Sequence, residues 1–128
     1  RWVVCTHIKD GAMLLTPEGF VSFPAEIGKG LIDIKQITQR LASLSREIHL
    51  SVENHGGSFP IPIFDKSFLS RFPDLTLQEF ISLIRMAHNA TEFMRSGELA
   101  IKEREKWPEV CESRLKRDIQ TLRKLLKI

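Results

Sequence analysis

With 128 residues, 19 Lys and Arg against 16 Asp and Glu (net +3) and 42% hydrophobic residues, the chain has the balance of one folded, soluble domain, not of a disordered segment. No apolar run approaches the roughly 20 residues that cross a bilayer, no signal-peptide pattern opens the chain, and so mild a charge calls for no nucleic acid. The two cysteines, Cys5 and Cys111, have neither metal-site nor disulfide-framework spacing, so a reducing cytoplasm is the expected compartment.

Residues 2–8 are β-branched and apolar on both parities, which predicts a strand buried on both faces. Lys9, Asp10 and Gly11 end it. The chain opens at Arg1 and the strand pattern begins at once, so a segment of a larger protein, or a processed chain, is the expectation. Residues 12–15 and 20–23 flank Thr16-Pro17-Glu18-Gly19, a turn sequence, and predict a small hairpin. Ile34, Ile37, Leu41 and Leu44 form a helical stripe behind the N-cap residue Asp33. Ile48 to Glu53 then reads as a second strand with Ile48, Leu50 and Val52 on one face. Strand, helix, strand in this order predicts a βαβ unit with parallel strands.

Glycines and prolines make residues 54–74 a long loop, with a short helix near Lys66 to Arg71. Thr76 and Glu79 form a capping box that opens a helix with Phe80, Leu83, Ile84, Ala87, Ala90 and Met94 on one face. Gly97 breaks it, and residues 98–106 read as a charged helix or linker. Pro108 suits the first turn of a last helix with the stripe Cys111, Leu115, Ile119, Leu122 and Leu126. The basic excess from Arg95 onward reads as a solvated helical face, and Trp107 as a packing anchor.

Strand parity selects the candidate site. Cys5 and His7 share one face of the first strand; His49, Ser51 and Glu53 share one face of the second. If the aliphatic face of the second strand meets the helix, His7 and Glu53 converge at the C-terminal ends of neighbouring strands, where parallel α/β folds carry their ligand sites. An imidazole and a carboxylate so placed can bind a divalent metal, carry out acid–base chemistry, or form a structural hydrogen bond. A metal normally needs three or four ligands, and the remainder must come from elsewhere. His49, about 13 Å below Glu53 on the same face, reads as an interior histidine.

Three motifs carry a resemblance. His7-Ile8-Lys9-Asp10-Gly11, then the loop from Pro24 through Gly28-Lys29-Gly30 to Asp33, then Leu50-Ser51-Val52-Glu53-Asn54 resemble the closing third of xylose-isomerase-like TIM barrels, and more narrowly the sugar phosphate isomerase/epimerase group. The likeness covers residues 2–55 and extends to residues 56–128 only in general layout. It implies an α/β fold: the C-terminal βαβα portion of a (βα)8 barrel with a helical extension. Residues 1–55 would supply the last two barrel strands and their helix, 56–75 a loop and 76–128 the C-terminal helices, the N-terminal strands coming from the same protein or another chain, a homo-oligomer included.

In that group a Glu, an Asp, a His and a Glu from the last four strands hold one divalent ion. His7 matches the His and Glu53 the final Glu; the first two ligands would precede Arg1. The metal (Mn, Mg, Co or Zn) would polarise a carbonyl so that Glu53, also the catalytic residue, can move the adjacent proton. Lys9, Asp10, Lys29 and His55 are the substrate-binding candidates, each equally readable as a loop or surface residue. The implied activity is isomerisation or epimerisation of a sugar, sugar phosphate or related polyol. A lyase or dehydratase on the same barrel and a non-catalytic segment completing a barrel or oligomer are the alternatives. Two departures narrow the reading. Asp10-Gly11-Ala12-Met13 lacks the substrate-holding Arg of the ketose epimerases, and Ser22 and Pro24 stand where related endonucleases place metal-binding His and Asp.

Overall fold

A computed structural model describes residues 4–97 and 99–127. The architecture is mixed α/β, built on two small sheets. The first sheet pairs β1 (Cys5–Ile8) with β4 (His49–Val52) in parallel, with His7 opposite Ser51 and Ile8 opposite Val52. The second is antiparallel in the order β2 (Asp10–Thr16), β3 (Gly19–Ala25), β5 (Phe59–Ile61). The helices are α1 (Ile34–Ala42), α2 (Lys66–Leu69), α3 (Leu77–Arg95) and α4 (Trp107–Leu126). No helix among the described residues is long and apolar enough to cross a membrane.

The βαβ unit forms as the pattern requires. Asp33 caps α1 by accepting a hydrogen bond from the Gln36 backbone N–H. Ile8, Ile27, Ile34 and Leu122 make one apolar cluster, and Leu41, Leu50 and Val52 pack against it. The even-numbered face of the parallel sheet therefore lies on α1 and α4. The odd-numbered face does not follow the reading of a strand buried on both sides: Cys5, His7 and His49 are exposed. His49 is thus corrected from an interior to an exposed residue. Among the described residues β1 and β4 each keep one edge unpaired.

The hairpin is longer than its apolar runs, because polar Asp10 and small Gly11 continue the ladder to Ala25 and Pro24. Gly19 turns it at φ +145°, and a Cβ there would lie 2.4 Å from the Ile61 carbonyl oxygen, so only glycine fits. That approach comes from β5, a strand inside the stretch the sequence reads as loop. Pro60 and Pro62 hide it, since a proline-rich run suits only an edge strand, and β5 is one. The sheet packs on α3, with Ala12, Phe23, Ala25, Ala90 and Leu99 in one cluster and Phe20, Ile63 and Ala87 in another. Leu99 makes the linker after α3 a packed segment. The capping box at Thr76 and Glu79 closes in both directions.

Two helical stripes rotate away from the periodic reading. In α1, Thr38 is fully buried while Ile37 is 40% exposed, and the helix stops before Leu44. Thr38 tolerates burial because its hydroxyl donates to the Ile34 carbonyl at 2.8 Å. In α4 the buried positions are Arg114, Asp118 and Leu122, while Leu115 and Ile119 are partly exposed. A guanidinium and a carboxylate one turn apart compensate each other's charge and so can replace apolar residues inside.

Candidate functional site

The site grows out of the parallel register. Because β1 and β4 run side by side, the odd-numbered residues of both project from one face, and Glu53 follows β4 where its backbone N–H donates to the Ile8 carbonyl at 3.1 Å. His7 Nδ1 lies 2.9 Å from Glu53 Oε2, and Lys9 Nζ donates to Glu53 Oε1 at 3.4 Å. Hydrogen bonding from His7, then the charge of Lys9, holds the Glu53 carboxyl below the usual carboxylate range. Glu53 is therefore ionised at neutral pH and can only accept, so His7 Nδ1 carries the proton and donates it. The other ring nitrogen, Nε2, keeps its lone pair for a proton or a metal.

The linkage has a definite sign. A folded-state pKa below 4.5 means that the contacts of Glu53 add stability above the unfolded value and lose it as pH falls through the folded one. A carboxyl carbon NMR titration is expected to place the Glu53 midpoint below 4.5, with Lys9→Met and added salt both moving it upward. A midpoint at or above the ordinary value would mean that the contacts do not persist in solution.

Asp10 takes a structural place. It is 1% exposed, and its carboxylate accepts four backbone N–H groups: Gly11 at 2.8 Å, Gly28 at 2.9 Å, Gly30 at 3.0 Å and Ile32 at 3.3 Å. This occupies the carboxylate's acceptor sites and ties the glycine loop to the start of β2, beside Lys9. A Cβ on Gly30 would lie 2.0 Å from Asp10 Oδ1, so the loop needs glycine there for close approach. Asp10→Ala, which strands several of these N–H groups, is expected to cost about 2–3 kcal/mol in urea unfolding. A loss below about 0.5 kcal/mol would show that water satisfies the loop equally well.

The remaining candidates divide. Lys29 is exposed and pairs with Glu26 at 3.7 Å; Glu26 also accepts from Arg117 Nε at 3.1 Å, which ties the loop to α4. Among the described residues Glu53 is met by His7 and Lys9, and Lys29 pairs with Glu26 instead. His55 is half-buried, and its Nδ1 donates to the Gly56 carbonyl at 2.9 Å. It lines a cleft with Lys9, which links it to Glu53. Among the described residues no cluster of three His, Cys, Asp or Glu forms. His7 and Glu53 thus offer an imidazole and a carboxylate, a donor set that suits a divalent ion but supplies only part of a shell.

A supporting network escapes the sequence reading. Asp118 is fully buried: it accepts from Arg114 Nε at 2.9 Å, from the Ile27 backbone N–H at 2.8 Å and from Asn54 Nδ2. Asn54 directly follows Glu53, so α4 anchors the backbone that presents the carboxylate. The available signal was the pair Arg114 and Asp118, four apart and in line with Leu122. Comparisons of the chain with protein-family models, curated proteins and solved structures found no match.

Proposed function

We propose that the chain is the closing portion of a (βα)8 barrel whose complete form isomerises or epimerises a sugar, sugar phosphate or related polyol by proton transfer next to a carbonyl. The observation that carries this reading is the His7–Glu53 pair, 2.9 Å apart at the C-terminal ends of adjacent parallel strands. Glu53 is the carboxylate that would accept a proton from carbon. Lys9 donates to the Glu53 carboxylate and balances its charge. His7 and Glu53 would hold a divalent ion in place of their mutual hydrogen bond, and the ion when bound supplies positive charge that makes a C–H beside a carbonyl more acidic.

The test uses the complete protein loaded with Mn²⁺ and incubated in D₂O with a panel of ketoses and their phosphate esters. Deuterium entering the carbon next to the carbonyl, with an aldose or epimer as product, supports the proposal. Loss of water from the sugar would assign the lyase reading instead, and no exchange with any member of the panel would leave a segment that only completes a barrel.

A further inference from the structure

Beside the site lies a cleft of about 350 Å³, walled by Pro24, Ile32 and Phe59, with Lys9, Asp10, Ser22 and His55 as its polar members. Its position follows from the fold. Phe59 of β5 pairs with Ser22 of β3, and Asp10 draws the loop carrying Ile32 onto the start of β2. Phe59 is 56% exposed and Ile32 is 42% exposed, so two large apolar side chains stand open next to a charged pair. The cleft meets the site at Lys9, whose ammonium is bonded to Glu53.

We propose that this cleft receives the end of the substrate remote from the reacting carbonyl, and that it selects an uncharged terminus with apolar character, such as a deoxy carbon, over a phosphorylated one. The inference rests on the proton-transfer reading of His7 and Glu53. Among the described lining residues Lys9 is the one Lys or Arg, and it donates to Glu53. Asp10, which also borders the cleft, has its carboxylate filled by backbone N–H groups. No arginine is among the described lining residues, so a phosphate dianion would meet no bidentate partner there and would lie beside apolar walls. A methyl group there gains contact with Ile32 and Phe59. His55, with Nδ1–H spent on the Gly56 carbonyl, presents Nε2 as an acceptor that a substrate hydroxyl can donate to.

Saturation-transfer NMR on the complete protein tests this with three probes: a 6-deoxyketohexose, the parent ketohexose and its 6-phosphate. Burial of one methyl predicts roughly fourfold tighter binding of the deoxy sugar than of the parent. The phosphate is expected to bind at least about tenfold more weakly than the deoxy sugar. Phe59→Ala and Ile32→Asn, both at exposed positions, should each erase the preference for the deoxy sugar over the parent, while Glu53→Gln should retain that preference and, by freeing Lys9, strengthen binding of the phosphate. Equal binding of all three probes, or a preference untouched by both cleft variants, overturns the inference even if Glu53→Gln abolishes exchange. A preference that responds to Phe59 and Ile32 supports the cleft even if Glu53→Gln leaves exchange intact, in which case the proton-transfer reading alone fails.

Discussion

Glu53→Gln is expected to abolish proton exchange while leaving the fold intact. Glutamine has the size and planar head of glutamate, and position 53 is exposed, so packing changes little. Three properties change at once. The basic oxygen pair that would accept a proton from carbon disappears, and loss of a general base alone typically lowers turnover by about 10²–10⁴-fold. The negative charge that attracts Lys9 and a divalent ion goes too, so metal content should fall. The amide can still accept from His7 Nδ1, but no longer as a charged partner, which loosens the ring's orientation. His7→Ala separates these contributions: metal content should drop, while thermal stability moves little because the ring is exposed. Metal analysis and deuterium exchange on wild type and both variants give the answer. Equal metal content and equal exchange in wild type and Glu53→Gln would reduce Glu53 to a structural carboxylate.

Asp118→Ala is expected to produce the largest loss of stability, about 3–5 kcal/mol, because it strips a buried guanidinium of its counter-charge. Arg114 is only 9% exposed at its side chain, and its buried Nη2 has no partner among the described residues, so little of the group reaches solvent. The Ile27 N–H and the Asn54 amide lose their acceptor at the same time. A melting temperature lower by roughly 10–20 °C is the expected readout. The double change Arg114→Met with Asp118→Leu removes both charges and should recover at least half of the loss, since apolar replacements often substitute for buried ion pairs. The two orphaned donors on the loop and after β4 account for the rest. The same network predicts an effect at a distance: without Asp118, Asn54 is untethered and Glu53 loses its fixed approach to His7. A change below about 1 kcal/mol in the single variant would mean that the pair is solvated, not buried.

The parallel juxtaposition of His7 and Glu53 was legible in the chain because it depends on local periodicity. Period-two alternation sorts each strand into two faces. A connecting helix of suitable length makes the strands parallel, and the aliphatic face must meet that helix. The capping box at Thr76, the N-cap at Asp33 and the turn at Gly19 were equally readable, since each is a short-range hydrogen-bonding or steric requirement. What the chain did not disclose depends on partners distant in sequence. Strand β5 exists because the β3 edge accepts it, not because Phe59-Pro60-Ile61 favours extension. Asp10 becomes a loop organiser only when Gly28, Gly30 and Ile32 fold back over it. Arg114 and Asp118 displace Leu115 and Ile119 from the buried side of α4 because Ile27 and Asn54 arrive there with donors to satisfy. Periodicity ranks residues by hydropathy, and a charged pair that is mutually compensated is invisible to such a ranking. Only the tertiary structure decides which polar groups are satisfied well enough to be buried.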